Sequence, residues 1–399
     1  MLSLDRIYLA KHVLQDVVRK TALVHAPKIN KEAEIYLKPE NLQITGSFKV
    51  RGAYFMMSQL SEKEKKKGVI ACSAGNHAQG VALAASRNGI DSLICLPDGA
   101  PISKVEATKG YGAKVCLVKG VYDDAYKKAV QLKEEKGYTF VHPFDNEDVI
   151  AGQGTIGLEI LEEMRDVDAI IVPVGGGGLI SGVAFAAKSL NPKIKVYGVQ
   201  AAGAPSMVKS LKDGKIECLD SVSTVADGIA VKEPGKHTFE YCSKYVDEIV
   251  TVTDDEISAA ILALIEQHKM ISEGAGAVSV AAAMFNKVPV KGKKVVCVVS
   301  GGNIDVTILS KVIKRGLIMS GRSCVLNIEL LDRPGELVGV STIIANLGGN
   351  VTQVHHERAG EGSDINGCYL RIVLETRDAE HINSIVTALK EAGYHILDN

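Results

Sequence analysis

The chain has 399 residues, too many for one small hydrophobic core and enough for two or three compact units. Its 46 Lys and Arg residues are matched by 47 Asp and Glu residues, which gives a formal net charge of −1. This balance argues against a protein built to neutralise a phosphate backbone, so we expect no nucleic-acid partner.

From about Ile35 to Leu317, short runs typical of strands alternate with stretches that carry apolar residues at helical spacing. The predicted strands include residues 68–72, 92–96, 114–118, 169–174, 196–199 and 294–299, and the predicted helices include 78–88, 122–136 and 181–190. Near-continuous Val and Ile runs separated by helices are typical of parallel sheets covered on both faces. The pattern predicts an α/β enzyme body over residues 1–317, with a smaller subdomain inserted at about 47–146.

The pattern changes after Leu317, where residues 318–323 predict a linker and residues 324–399 a smaller second domain. Its first strand, residues 325–330, alternates apolar and polar positions as a half-buried strand does. Further strands fit 351–357, 368–375 and 394–397, and helices fit 336–347 and 379–391. The order βαββαβ predicts a ferredoxin-like sandwich.

The sequence predicts a cytoplasmic protein without a membrane partner. The longest uncharged stretch, residues 169–187, contains Pro173 and four consecutive glycines, which favour a strand, a turn and a helix start over a membrane span. The N-terminus carries Asp5 and lacks the apolar core of a signal peptide. Eight scattered cysteines without a C-x-x-C pair are typical of reduced, buried thiols, so we expect neither disulfides nor a zinc site.

The first candidate for chemistry is Lys49, in the run Thr45-Gly46-Ser47-Phe48-Lys49-Val50-Arg51-Gly52-Ala53. Most lysines are solvated surface residues, and Lys49 could be one of them. However, polar turn residues precede it and a helix is predicted to begin there. A lysine held beside Phe48 at a helix start can be desolvated enough to act as a nucleophilic amine.

Three further turns directly follow predicted strands and contain glycine. The turn Ser73-Ala74-Gly75-Asn76-His77 opens a helix, where free backbone N–H groups favour a carboxylate or a phosphate. The run from Gly175 to Gly178 lets backbone amides surround an anion. The turn Ser300-Gly301-Gly302-Asn303 follows another apolar strand. Each of these turns could have a purely structural role. Taken by itself, His77 is interpreted as a hydrogen-bonded structural histidine. Because ligands of open α/β sheets bind beyond the carboxyl ends of strands, the turns and Lys49 could meet in one cleft.

A dinucleotide-binding site is the rival interpretation of the glycine run. It fails in detail, because G-x-G-x-x-G is not met in register and the next strand ends in Gln200 where an acidic residue would be needed. The pair His355-His356 lacks metal-ligand partners at suitable spacing and is interpreted as surface.

Together these four clusters resemble the fold-type II pyridoxal-phosphate enzymes, and most closely the threonine dehydratases, over residues 5–317. The resemblance implies pyridoxal 5′-phosphate as the cofactor, with Lys49 bound covalently to its aldehyde carbon. It implies that the other cofactor-binding residues are Phe48 against the ring, Asn76 at the ring 3-hydroxyl oxygen, Gly175, Gly176, Gly177, Gly178 and Leu179 at the phosphate, Gly228 on the other side of the ring, and Ser300 at the pyridine nitrogen. Ser73, Gly75, Asn76 and His77 would hold the substrate carboxylate.

The resemblance also implies the reaction. L-Threonine would lose its Cα proton to Lys49 and its β-hydroxyl as water, giving 2-oxobutanoate and ammonia, and L-serine would give pyruvate. A hydroxyl partner such as Ser300 does not protonate the ring nitrogen as an aspartate would, which favours prompt β-elimination over transamination.

Alternatives remain open in the sequence. A serine dehydratase or racemase is one, although Ala74 stands where serine racemases carry a serine. A sensor whose body no longer catalyses is another. Gln200 and Ser206 stand where relatives with a divalent cation carry carboxylates, so we expect no metal site.

The C-terminal domain resembles an ACT domain, an amino-acid-sensing module. The resemblance implies an amino-acid effector, with isoleucine or valine favoured and a nucleotide as the alternative. The predicted effector site comprises Asp332, Arg333, Pro334, Gly335, Glu336, Leu337, Gly349 and Asn350. Because ACT modules usually pair across subunits, a homodimer or homotetramer is expected.

Overall fold

A computed structural model describes residues 1–358 and 367–397 of the chain. The chain forms two compact units, Met1–Asp305 and Val306–Asn399. Helix Val306–Met319 therefore groups with the second unit, whereas the sequence analysis placed most of it in the enzyme body. Within the described residues, no helix is long and apolar enough to cross a membrane.

The first unit contains two sheets. Its strands are β1 (Val24–His25), β2 (Glu34–Pro39), β3 (Val69–Cys72), β4 (Ser92–Pro97), β5 (Lys114–Val118), β6 (Thr139–Phe140), β7 (Ala169–Pro173), β8 (Lys195–Ala201), β9 (Glu248–Val252) and β10 (Lys294–Val299). The larger sheet has the order β1-β2-β10-β7-β8-β9 and the smaller one β5-β4-β3-β6. All pairs are parallel except β1 with β2, which makes β1 an antiparallel edge that the sequence pattern did not predict.

Helices cover both sheets of the first unit. They are α1 (Leu4–Leu14), α2 (Lys49–Ser58), α3 (Glu62–Lys67), α4 (Asn76–Arg87), α5 (Ile102–Gly110), α6 (Tyr122–Lys136), α7 (Glu147–Glu163), α8 (Gly178–Leu190), α9 (Ser206–Asp213), α10 (Lys236–Tyr245), α11 (Asp254–His268) and α12 (Gly274–Met284). All five residues of β7 and all four of β3 are buried, as expected for strands covered on both faces. The α/β fold with two parallel sheets is thus confirmed.

Each of the two sheets has its own core. The larger sheet packs Ile170, Val172 and Val296 against Ile180 and Val183 of α8. The smaller sheet packs Val69, Ala71 and Ile94 against alanines of α2 and α4. The alanines of α2 and α4 let these helices lie close to the strands of the smaller sheet.

The second unit is a ferredoxin-like sandwich. It contains α13 (Val306–Met319), β11 (Ser323–Leu331), α14 (Glu336–Asn346), β12 (Asn350–Arg358), β13 (Gly367–Glu375), α15 (Ala379–Glu391) and β14 (His395–Leu397). The antiparallel sheet has the order β12-β13-β11-β14. Leu326, Ile328 and Leu330 are buried on one face of β11, which confirms the predicted alternation and the βαββαβ order.

Candidate active site

A cavity of about 860 Å³ lies where the carboxyl ends of β3, β7 and β10 meet. Every residue predicted for the cofactor and the substrate carboxylate in the sequence analysis lines it, namely Phe48, Lys49, Ser73, Gly75, Asn76, His77, Gly175, Gly176, Gly177, Gly178, Leu179, Gly228 and Ser300. The structure thus brings together four motifs that are spread over 253 residues of sequence, from Phe48 to Ser300. The individual role of each of these residues stays a prediction.

Lys49 is the first residue of α2 and its side chain extends into this cavity. Its Nζ donates a hydrogen bond of 2.7 Å to the Pro143 carbonyl and lies 5.3 Å from the centre of the Phe48 ring. Burial lowers the pKa of Lys49 to about 8, while the charge of Glu273 acts in the opposite direction. An amine with a pKa near 8 is neutral, and therefore nucleophilic, far more often than an ordinary lysine.

The lowered pKa of Lys49 predicts its reactivity in the cofactor-free protein. We expect reductive methylation by formaldehyde, followed by peptide mass spectrometry, to give a titration midpoint near 8 for Lys49, against about 10.4 for ordinary lysines. The reaction needs the unprotonated amine, so labelling of Lys49 falls as the pH drops below 8 and is already substantial at pH 8. A midpoint shared with the surface lysines would contradict a desolvated amine.

The turn before α4 presents backbone donors to the cavity. The Gly75 N–H donates to the Ser73 hydroxyl at 3.2 Å, and α4 begins at Asn76. The side chain of His77 points elsewhere, because its Nε2 lies 2.9 Å from the Val141 carbonyl. Burial, followed by the charge of Lys49, lowers the pKa of His77 to about 3, so the ring stays neutral. His77 is thus a hydrogen-bonded structural residue whose backbone belongs to the helix start.

The glycine run forms the second helix start at the cavity. Gly177 has φ +96°, which favours glycine, and α8 begins at Gly178. A Cβ at Gly176 would come within 2.4 Å of the Phe144 ring, so a side chain there has no space. The first N–H groups of a helix lack intrahelical partners and carry its positive dipole end. This end is suited to a phosphate.

Ser300 and its neighbours close the site from the side of β10. Ser300 is 3% exposed and its hydroxyl donates to the Ala275 carbonyl at 3.3 Å. The Phe48 N–H donates to the Ser300 carbonyl at 3.1 Å, which ties the lysine turn directly to this strand end. Gly228 lies in a short 3₁₀ turn, residues 227–229, on the cavity wall.

Gln153 and Glu273 are among the cavity residues that the sequence analysis missed. Gln153 of α7 is 1% exposed, and its Oε1 is buried without a hydrogen-bond partner among the described residues. Glu273, directly before α12, is 5% exposed and accepts a hydrogen bond of 2.6 Å from the Asn76 amide. Neither lies in a recognisable motif, so only the fold reveals their place.

The predicted effector residues all lie in the second unit. Asp332, Arg333, Pro334 and Gly335 form an exposed turn between β11 and α14, and Glu336 and Leu337 begin α14. Gly349 and Asn350 lie where β12 begins. The Asn350 amide donates to Glu375 of β13 at 2.8 Å.

His356 has neighbours that sequence spacing did not reveal. Single ligand atoms of Asp332, directly after β11, His356 of β12 and Cys368 of β13 lie within 4.8 Å of one another. Asp332 and Cys368 each already have an interaction partner.

The residues present fit pyridoxal phosphate. The cavity holds a desolvated amine for an aldehyde, a glycine-rich helix start for a phosphate, and a buried hydroxyl and a half-buried amide for a polar ring. Two parallel sheets whose strand ends converge on such an amine define an α/β enzyme that carries a phosphorylated aldehyde cofactor.

The comparisons with known proteins agree with this class. The family model described as pyridoxal-phosphate dependent enzyme matches residues 14–301, and the chain belongs to this family. It is 50% identical over 398 residues to the L-threonine ammonia-lyase of Thermotoga maritima, covering 99% of each chain.

The solved structures that are similar to the chain include a threonine deaminase and a serine racemase. The processed form of threonine deaminase isoform 2 from Solanum lycopersicum is 40% identical with a TM-score of 0.74, and the match covers 78% of this chain and 94% of that one. Maize serine racemase is 35% identical with a TM-score of 0.75, and the match covers 79% and 98%.

Proposed function

We propose that the chain is a threonine ammonia-lyase that converts L-threonine into 2-oxobutanoate and ammonia, and L-serine into pyruvate. The observation that carries the proposal is the likeness, over 99% of both chains, to an L-threonine ammonia-lyase. The cavity supports it, because an amine and two helix starts converge there. Bound pyridoxal phosphate supplies the aldehyde that captures the substrate amine and the ring that withdraws electrons from Cα.

Lys49 is the group that moves the proton. Its pKa near 8 lets Nζ accept the Cα proton at neutral pH, and the bond to the Pro143 carbonyl restrains the amine at the cavity wall. The β-hydroxyl takes up one proton, which balances the proton that Lys49 accepts from Cα, and leaves as water. The enamine that remains takes up one water molecule in hydrolysis and gives the keto acid and ammonia.

The start of α4 binds the substrate carboxylate. The Ser73 hydroxyl and the backbone at Gly75 and His77 surround the place where the helix dipole favours a negative charge. Neutral His77 adds no charge that would compete for the carboxylate. The substrate is thus held by one end while Lys49 reaches its Cα.

A serine racemase is the second candidate, because maize serine racemase shares the fold at 35% identity. Racemisation needs an acid or base on each face of Cα. Ala74, which lines the cavity, offers no titratable atom for the second face. Assays of ammonia release from L-threonine, L-serine and D-serine separate the candidates: release mainly from L-threonine supports the proposal, whereas conversion of L-serine into D-serine without release contradicts it.

The second unit is proposed as an ACT regulatory domain that binds an amino acid, isoleucine or valine, at the turn Asp332–Gly335 and at Gly349 and Asn350. The turn is exposed, and Gly335 with φ +102° begins α14, so backbone N–H groups are presented there. In this proposal residues 324–399 form the regulatory domain and residues 1–317 the catalytic one.

Deleting residues 324–399, which leaves α13 in place, is expected to abolish any effect of isoleucine or valine on the rate of threonine turnover. The effector would then have lost its binding site while the cavity of the first unit keeps all its residues. Initial rates with and without each amino acid, and with a nucleotide, measure this. Unchanged inhibition in the shortened chain would place the regulatory site elsewhere.

The proposed assembly is a homodimer or homotetramer. Leu337 and Val338 of α14 are 39% and 67% exposed, and Val354 on the edge strand β12 is 42% exposed. Exposed apolar side chains of this kind can be covered by a second copy of the chain. Light scattering of the full chain distinguishes a monomer from these assemblies.

A further inference from the structure

Glu273 is a carboxyl group of the cavity that the mechanism above does not use. It directly precedes α12, is 5% exposed, and lines the same cavity as Lys49. Its side chain makes no capping hydrogen bond to α12. The Glu273 carboxyl group therefore does not cap α12, and its role must lie in another contact.

The partner of this carboxyl is Asn76. The Asn76 Nδ2 donates to Glu273 Oε1 at 2.6 Å, and Asn303 Nδ2 donates to Asn76 Oδ1 at 2.8 Å. With an acceptor at its nitrogen and a donor at its oxygen, the amide cannot be flipped without losing both bonds. The Glu273 carboxyl thus sets which way the amide of Asn76 faces.

The turn after β10 leaves space for this carboxyl. A Cβ at Gly301 would come within 2.4 Å of Glu273 Oε1, so a side chain there would displace it. The Glu273 N–H donates to the Gly301 carbonyl at 3.1 Å, which anchors the acid on the same turn. The glycine next to Ser300 and the acid before α12 are therefore parts of one arrangement.

We infer that Glu273 is a positioning residue of the cofactor site: its carboxyl holds the Asn76 amide in the orientation that meets the bound cofactor. The inference rests on the proposed function only in that the site holds pyridoxal phosphate. An amide nitrogen carries two hydrogens, so one bonds Glu273 and the other remains for the ring oxygen that the resemblance places there.

The protonation state of Glu273 suits this role. Burial, followed by the charge of Asp227, raises the pKa of Glu273 to about 8, while the Asn76 hydrogen bond and the charges of Lys104 and Lys49 oppose the shift. At pH 7 the carboxyl is therefore mostly neutral. A neutral acid keeps its carbonyl acceptor for Asn76 and does not repel an anionic cofactor. Glutamine has the same shape and the same acceptor, so it should replace Glu273 well.

The first test compares cofactor binding by Glu273→Ala and Glu273→Gln, measured by equilibrium dialysis of pyridoxal phosphate against the cofactor-free full chain. Glu273→Ala is expected to weaken binding about tenfold and to shift the absorption of the bound cofactor, because Asn76 loses its restraint. Glu273→Gln should stay within about threefold of wild type. Ser279→Ala is the matched control, since Ser279 is buried in the same helix and its hydroxyl donates to Val298 instead.

A double-mutant cycle tests whether Glu273 acts through Asn76. Adding Glu273→Ala to Asn76→Ala should weaken cofactor binding by less than about threefold more, because the restrained amide is already gone. If Glu273→Ala fails to fold, Glu273→Asp serves in the same cycle, since the shorter side chain breaks the 2.6 Å contact and keeps the carboxyl. Independent, multiplying effects of the two substitutions would overturn the inference.

The lysine-labelling assay measures a second quantity, the titration midpoint of Lys49, which a purely structural role of Glu273 would leave unchanged. Near pH 8 about half of the Glu273 carboxyl groups are ionised, and this charge raises the pKa of Lys49. Glu273→Gln removes it, so the labelling midpoint of Lys49 should fall slightly below that of wild type. Wild-type cofactor affinity and absorption in Glu273→Ala, or an equal loss in Glu273→Gln, would overturn the inference. Cofactor binding is measured without substrate. A failure of threonine turnover alone would therefore contradict the proposed function, but it would not affect the comparison of cofactor binding among the Glu273 variants.

Discussion

Turnover of L-threonine by Lys49→Ala is expected to fall at least about 10³-fold, with loss of the absorption of the covalently bound cofactor. Alanine removes both the amine that holds the aldehyde and the base that takes the Cα proton. Among the described residues, Lys49 is the lysine that the structure places at a half-buried helix start with a pKa lowered to about 8. Ammonia release at saturating cofactor and substrate measures the effect.

Lys232→Ala is the matched control for this prediction. Lys232 lines the same cavity and is exposed, so its loss should change turnover by less than about threefold. A small primary amine added to Lys49→Ala should restore part of the rate, because truncation leaves space where Nζ was. Full turnover by Lys49→Ala without added amine would reject the assignment of the base.

The local parts of the site could be predicted from the sequence. Lys49 is predicted at a helix start, and the structure begins α2 there. Gly175–Gly178 and Ser300 follow apolar strands, and both line the cavity. These features are local, because a turn directly after a parallel strand must lie at the carboxyl edge of its sheet.

The partners of these residues could not be predicted, because they depend on contacts between distant segments. Glu273 meets Asn76 across 197 residues of sequence, and no spacing rule marks a single acid before a helix. Gly52 illustrates the same limit. A Cβ there would come within 2.4 Å of Gln153 Nε2 and 2.7 Å of the Val149 carbonyl, so the close crossing of α2 and α7 requires glycine. The sequence alone does not show that α2 and α7 cross at this position.

A buried charge network lies beneath the lysine turn. Arg51, two residues after Lys49, is 0% exposed and donates to both carboxylate oxygens of Glu40 at 2.8 Å. It also donates to Glu159 of α7 at 2.6 and 3.0 Å, and Lys38 of β2 donates to Glu159 at 2.6 Å. The two basic and two acidic side chains pair with one another, and they join α2 to β2 and α7.

Arg51→Met is expected to lower the free energy of unfolding by about 3–5 kcal/mol, because it leaves two buried carboxylates with Lys38 as their remaining cation. Burial by itself would raise the pKa of Glu159, but the charge and hydrogen bonds of Arg51 hold it below its usual range. In the variant the folded-state pKa of Glu159 rises above the unfolded value. The stability deficit should therefore grow as the pH rises from 4 to 7 and shrink as Glu159 takes up a proton in acid.

Urea unfolding of the full chain at several pH values measures this deficit, and restoring the charge balance provides its control. Adding Glu40→Gln to Arg51→Met removes one of the unpaired charges, so the double variant should be more stable than Arg51→Met alone, although each substitution on its own destabilises. Cofactor affinity can be compared between the same two variants, because α2 also carries Lys49. If the network also orients α2, the double variant should recover cofactor affinity together with stability. A deficit below about 1 kcal/mol in Arg51→Met, or one independent of pH, would show that water or local rearrangement compensates the buried charges.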